Sequence, residues 1–443
     1  SAAYRISEEP FFEPLRKAVD NLKIRLSYGS LGNQQIGYYD FIQTITTKGS
    51  MSDYSFDGTV LGQHATVSDP VSGDQTWEKV VSKNLGLDLN MFNNRLSLTT
   101  DFYIRDTKGI LGKGKSLPSI YGASEPQMNA NNLRTKGYEL VLGWRDSFKL
   151  AGSTFSYGIT GTFSDYTAEY TKCDNPTGLI GDPYVGKKYG EIWGYKVDGL
   201  FRNDKEAAEY ASRIDLSTVA SGYYTATGAY GKGVRGGDIK YLDLNGDNIV
   251  NGGKGTLDDP GDRRVIGNSS PRYQYGASLN FSWYGFDVSV FMQGIGRLDW
   301  YPGADNLRFW GPYCRPYATF VPKNFMSQVW SEENPDAYFP RARAYTSLNS
   351  NSGTAYYTND RYLQNLAYCR LKNLTIGYTI PRRLTSKVGI KECRIYFSGE
   401  NLATWSALKS DFLDPEQAAA DSDKKANVYP WCKTYSIGLN LTF

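Results

Sequence analysis

The last ten residues, Thr434-Tyr435-Ser436-Ile437-Gly438-Leu439-Asn440-Leu441-Thr442-Phe443, carry aromatic or aliphatic side chains at every odd position and polar or small ones at every even position. A strict period of two belongs to an extended strand with one apolar and one polar face. Nine earlier segments repeat the pattern, so ten strands are predicted. Leu22, Ile24, Leu26 and Tyr28 set the first, near 21–31, and Leu85, Leu87, Leu89 and Met91 set the second, near 77–91. Phe92-Asn93-Asn94 turns into a third, where Leu96, Leu98, Thr100, Phe102 and Ile104 oppose Arg95, Ser97, Thr99, Asp101, Tyr103 and Arg105. Tyr138, Leu140, Leu142 and Trp144 lead through a turn near 148–152 to Phe155, Tyr157, Ile159 and Phe163. Tyr273–Trp283 turns at Tyr284-Gly285 into Phe286, Val288, Val290 and Met292, and the last three strands lie near 364–380, 393–404 and 432–443.

The connections sort by length. Polar stretches near 32–76, 107–135, 171–270, 298–363 and 405–431 alternate with tight turns. Apolar-out, polar-in strands joined alternately by short turns and long loops are what a transmembrane β-barrel of the outer membrane requires, and this order places Phe443 at the periplasmic end. A β-sandwich also alternates but does not sort its connections by side. Two short helices are expected inside the loops, both as loop furniture rather than a domain. Asn203 and Glu206 stand in capping-box spacing ahead of Lys205–Ala211, and Pro322 precedes Asn324–Trp330.

Composition narrows the chemistry. There are 35 Tyr, 20 Phe and 9 Trp but one histidine, His64, and the mean hydropathy is only −0.48. No run approaches the ~20 apolar residues of a spanning helix. One histidine excludes the usual His-ligated metal centres and His-based nucleophilic triads. The net charge of +3 is scattered, without a basic cluster to follow phosphates, so nucleic acid is not a partner. Five cysteines without a Cys-x-x-Cys pair read as small apolar residues. The start Ser1-Ala2-Ala3-Tyr4-Arg5 has no apolar signal-peptide core.

Longer strings are more specific. Thr76-Trp77-Glu78-Lys79 leading to Asn84-Leu85-Gly86-Leu87-Asp88, Thr135-Lys136-Gly137-Tyr138-Glu139-Leu140, Val265-Ile266-Gly267-Asn268-Ser269-Ser270-Pro271, Glu333-Asn334-Pro335, Arg370–Tyr378, Ser398-Gly399-Glu400-Asn401-Leu402 and Lys433-Thr434-Tyr435-Ser436 occur in this order. Together they resemble the SusC-like TonB-dependent transporters of the Bacteroidetes outer membrane. The resemblance implies an all-β fold, the C-terminal part of a 22-stranded barrel with long extracellular loops, and no enzymatic activity. It implies that the plug, the TonB-contacting segment and the remaining strands belong to an N-terminal half upstream of Ser1, since ten strands alone would leave open edges in lipid. It further implies TonB-driven import of an oligosaccharide or peptide, a SusD-like surface lipoprotein as partner, a two-copy assembly, and an outer-membrane location. Tyr435, Ile437, Leu439, Leu441 and Phe443 resemble the signal read by the barrel-assembly machinery. The alternative from another class is a secreted carbohydrate-binding or carbohydrate-cleaving β-protein with a calcium loop, although no strand presents a convincing carboxylate pair.

Two sets of residues carry site chemistry. Asp243, Asn245 and Asp247, with the Ile249 carbonyl, follow the spacing of a loop that wraps Ca²⁺. Asn248 stands where glycine usually turns such a loop, and the twelfth position is Lys254. The resemblance suggests an insertion over Gly252–Pro260, with Asp262 as the closing carboxylate. Among the aromatics, Trp144, Trp283, Tyr284 and Tyr378 read as girdle residues at the lipid boundary. The loop residues Tyr301, Trp310, Tyr313, Tyr317 and Trp330 are candidates for substrate or lid contact, against self-packing of the loops. Arg382-Arg383 reads as a solvated face in a short turn.

Overall fold

The computed structural model describes residues 1–33, 42–48, 55–56, 59–60, 64–73, 75–113, 119–225, 233–304, 306–314, 321, 323–343, 356–410, 413–419, 429 and 431–443. Eleven strands form one antiparallel sheet in chain order. They are β1 (Ala2–Arg5), β2 (Val19–Asn33), β3 (Glu78–Met91), β4 (Leu96–Lys113), β5 (Gln127–Leu150), β6 (Ser153–Lys172), β7 (Arg272–Trp283), β8 (Phe286–Arg297), β9 (Tyr368–Thr379), β10 (Glu392–Ser406) and β11 (Thr434–Thr442). The sheet is open, with β1 and β11 at its edges. All ten predicted strands are present. The eleventh, β1, pairs Ala2–Arg5 with Lys23–Leu26, so β2 is not the edge that the sequence pattern implied. Four residues without alternation gave no signal for it.

The register carries the apolar face from strand to strand. Trp283 sits opposite Phe286, Phe286 opposite Tyr378, Tyr378 opposite Ile395 and Ile395 opposite Leu439. Facing residues share one side of a sheet, so one apolar surface crosses five strands here. It is uncovered: Phe102 is 54% exposed, Ile437 83% and Phe443 72%. Two rows of rings border it. Phe102, Tyr138, Phe163 and Tyr273 follow one another at 6.0–6.4 Å on the long-loop side. Phe148, Phe155 and Phe281 follow one another at 5.3 and 6.5 Å on the short-turn side, with Trp283 beside Tyr284 and Phe286 beside Tyr378. Tyr138 and Phe148 are ten residues apart on β5. At ~3.4 Å per residue and ~40° of tilt that is about 26 Å, the height of the apolar band of an outer-membrane barrel.

The short turns are built for reversal. Ala151-Gly152 and Tyr284-Gly285 have positive φ at both positions, as a two-residue turn matching strand twist demands. On the other side the connections are long. Strands β4 to β6 run well past the apolar band, to 18, 24 and 20 residues, where Lys, Asn and Asp replace the alternation that marked them in sequence.

The long connections do not behave as furniture. Residues from 195–250 and 309–362 share one buried core, with Phe201, Leu216, Tyr241, Trp310 and Tyr362 fully enclosed, and Leu413 of the last long connection packs against it. Short strand pairs brace it: Glu191–Tyr195 with Arg263–Asn268, Val197–Leu200 with Ile239–Tyr241, and Asp299–Trp300 with Gln364–Asn365. Two small strand pairs, Ile45–Lys48 with His64–Val67 and Ser55–Phe56 with Thr59–Val60, lie in the polar stretch near 32–76. The helix α1 (Asp204–Ala211) starts where expected, the Asn203 side chain accepting from the Glu206 N–H at 2.9 Å. The second predicted helix shrinks to a single turn, Met326–Gln328, because Phe339 takes the next segment into a strand-like bridge: its N–H donates to the Gln328 carbonyl and its carbonyl accepts from Trp330. Pro322 lies outside the described residues.

Candidate functional site

The polar face of the sheet is ordered by charge pairs that reach across strands. Arg25 on β2 donates to Asp88 on β3 and to Asp101 on β4, each at 2.9 Å. Arg394 on β10 reaches past β9 to Asp287 on β8. Between such pairs, Tyr103 lies over Gly137 and Tyr396 over Gly438, leaving no room there for a Cβ. Each glycine lets a neighbouring ring lie flat, so this face is a smooth wall of phenols and paired charges. Such a surface holds water and polar solutes, in contrast to the opposite face.

Above the wall stands the loop body, and its tyrosines explain much of the aromatic excess. Several of its phenols find acceptors: Tyr210 donates to the Tyr241 carbonyl at 2.7 Å, Tyr301 to that of Tyr357 at 3.1 Å, Tyr313 to that of Pro340 at 2.5 Å and Tyr362 to that of Tyr338 at 3.2 Å. Asn359, fully buried, donates its side-chain N–H groups to the Tyr357 carbonyl at 2.8 Å and the Tyr301 hydroxyl at 3.0 Å, with the Tyr241 hydroxyl also within 3.3 Å of the same nitrogen. Burial pushes the Tyr195 and Tyr338 phenols up to about 12, so both stay neutral, and Tyr338 donates to the Arg361 carbonyl. Trp310 is 0% exposed, and Tyr313 and Trp330 are also buried. This corrects the expectation for these three: their rings pack against Phe309, Phe325, Phe339 and Arg341 and are not presented to a substrate or lid. Tyr301 packs on the same core. Tyr317 lies outside the described residues.

The Asp243–Ile249 loop takes the compact shape that its spacing suggested. The Asp243 carboxylate accepts from the Gly246 and Asn248 amides at 2.7 and 2.9 Å, that of Asp247 from Ile249 at 2.8 Å, and Asn248 adopts the left-handed conformation. Asp262 does come to this loop, but in another role. It is fully buried, one oxygen accepting from Leu244 and Asn245 and the other from Asn251. Among the described residues no three His, Cys, Asp or Glu side chains gather into a metal-holding group. Asp262 thus closes the loop as an acceptor for backbone N–H groups.

One cluster escaped the sequence reading. Arg370 on β9, 1% exposed, donates to Thr404 on β10, to Asp414 and to Glu416, and Lys372 donates to Glu416 at 2.7 Å. These pairs fasten the segment 413–419 to the polar wall and, through Leu413, to the loop core. Nothing in the sequence signals it: by period two Arg370 and Lys372 share the parity of the outward Leu374, Ile376 and Tyr378, and it is the register shift between Leu371 and Asn373 that turns Arg370 to the polar face.

No protein-family model matches the chain. Over its full length it is 27% identical to TonB-dependent receptor P26 of Formosa agariphila, and 25% identical to TonB-dependent receptor P3 of the same organism. It is 22% identical over 99% of its length to TonB-dependent receptor SusC of Bacteroides thetaiotaomicron. The chain spans about two-fifths of these relatives, 42%, 41% and 39% of their lengths respectively. In structure, the whole chain superposes on 43% of a chain of the RagAB peptide transporter with a TM-score of 0.68 at 21% identity, and on 42% of a chain of the RagAB peptide importer in its open-open state with a TM-score of 0.66. An outward apolar band and the sorted connections agree with these likenesses: the chain is SusC-like, similar over its whole length to about two-fifths of TonB-dependent receptors.

Proposed function

We propose that the chain forms part of the wall and outer vestibule of an active importer in the outer membrane, driven through TonB. Its cargo is an oligosaccharide or a peptide, taken up together with a SusD-like surface lipoprotein in a two-copy assembly. The observation that carries this reading is the division of one sheet into an uncovered apolar face between two aromatic rows and a charge-paired polar face. A protein in water would not leave Ile437, Phe443 and their neighbours bare, which also weighs against a secreted carbohydrate-active protein. The name of the RagAB neighbour supports a peptide cargo and that of the SusC relatives the TonB coupling. The test is a clean gene deletion in the source organism, complemented by the full-length gene. The protein should need detergent for extraction, and uptake of one class of oligomer should fail without the gene and without TonB. Release of the protein into the medium without detergent, or unchanged uptake of every oligomer tried, would overturn the proposal.

A calcium ion on Asp243, Asn245, Asp247 and the Ile249 carbonyl is a separate proposal. It is supported by hard oxygen donors at alternate positions and by the amide bonds that already aim both carboxylates. Chelation should then raise hydrogen exchange across 243–251. Identical exchange with and without chelator would leave a loop closed by its own hydrogen bonds.

A further inference from the structure

The long-loop rim of the apolar face carries more lysine charge than the acids around it balance. On that face Lys83 of β3 and Lys136 of β5 both stand opposite Ile104 of β4, and Lys79 of β3 stands directly opposite Lys108 of β4. Lys83 lies two residues outward of Leu85, and Lys136 two residues outward of Tyr138 in the outer aromatic row. All four lysines are exposed, and none makes an ion pair or a side-chain hydrogen bond among the described residues. The acids of this rim face other cations. Asp106 holds Arg134 at 2.7 Å and lies near Lys83 and Lys108 without bonding either, Asp165 holds Arg272, and Glu169 stands opposite Arg134, so three carboxylates face six cations. Like charges directly opposite across a strand pair are destabilising unless something neutralises them.

We propose that Lys79, Lys83, Lys108 and Lys136 form a binding site for a phosphate-bearing lipid headgroup of the outer leaflet. The inference rests on the membrane reading above and adds a specific ligand to it. Position and charge select the occupant. The lysines sit just outside the aromatic row, at the depth of headgroups, and phosphate is the anionic group found there. Beneath them is an open groove of about 1040 Å³ on the apolar face, lined by Leu26, Tyr28, Leu85, Phe102, Lys83 and Lys136 among others. An acyl chain lying on those apolar side chains places its phosphate between the ammonium groups. A free phosphate ion gains nothing from the groove, which is why a lipid is the source assigned.

The test uses the full-length protein, purified in detergent and stripped of lipid, with its melting temperature followed as lipid is added. Phosphatidylglycerol is the probe, with phosphatidylcholine and inorganic phosphate as the other arms. Phosphatidylglycerol should raise the melting temperature of the natural protein, whereas phosphatidylcholine and inorganic phosphate should not. The K83Q/K136Q variant should need on the order of tenfold more phosphatidylglycerol for the same shift. K17Q/K387Q, changing exposed lysines on the short-turn side, should respond as the natural protein does. An equal response of K83Q/K136Q would overturn the site, and so would an equal shift from inorganic phosphate, which marks an anion site without lipid. If K83Q/K136Q fails to fold, K79Q/K108Q reads the same outcome. Failure of the natural protein to enter phosphatidylcholine nanodiscs would count against the membrane reading itself and is separately visible.

Discussion

At the scale of single residues, Trp310 shows how the same side chain reads differently in sequence and in structure. A tryptophan in a long polar loop suggests a surface that meets a ligand, yet here its indole donates to the Gly303 carbonyl at 3.1 Å and its ring packs on Phe309 and Tyr362. Trp310→Ala should therefore loosen the loop body by about 3–5 kcal/mol, the usual cost of emptying a large buried site. The measurement is hydrogen exchange: protection should fall across 195–250 and 309–339 while β7 and β8 stay unchanged. Weaker cargo binding with intact loop protection would instead restore Trp310 as a contact residue.

At the scale of elements, two connections to the sheet make separate predictions. The first is the hold of Arg370 and Lys372 on Asp414 and Glu416. Removing one partner of a buried ion pair leaves the others uncompensated, a loss of about 3 kcal/mol or more. Arg370→Met should free the segment 413–419, seen as new protease cleavage there, with β9 and β10 still paired. Resistance equal to that of the natural protein would mean that Lys372 and the Leu413 contact suffice. The second is β11, whose outward residues Tyr435, Ile437, Leu439 and Leu441 face Gly399, Phe397, Ile395 and Cys393 of β10. Deleting Leu441–Phe443 removes the last outward apolar positions of this edge strand. Surface levels of the protein should fall, while uptake per inserted molecule stays the same. Normal surface levels would show that assembly reads another feature.

At the scale of the whole molecule, the sheet was legible and the loop body was not, for a physical reason. A strand between lipid and water must alternate, so Leu96–Ile104 and Thr434–Phe443 announce themselves in sequence. Outside the membrane band that constraint lapses, which is why the outer ends of β4 to β6 went unread, while β1, four residues opposite Lys23–Leu26 within the band, is too short to show a period. The core joining 195–250 to 309–362 is assembled from residues far apart in sequence, with no period to betray it. Its helix α1 was readable from the capping-box spacing of Asn203 and Glu206. The Asp243–Ile249 turn was readable too, but the role of Asp262 was not, because spacing shows an oxygen and not which amide it will meet. The division of one sheet into a lipid face and a lumen face underlies the rest of the account, and spin labels along β7 test it most directly. Single labels from Gln274 to Trp283, in the full-length protein in bilayers, would be scored for collision with oxygen and with a water-soluble nickel chelate. The account predicts strict alternation, with Tyr275, Ala277, Leu279, Phe281 and Trp283 meeting oxygen and the even positions meeting nickel. Nickel access at both parities, or no period of two, would contradict it.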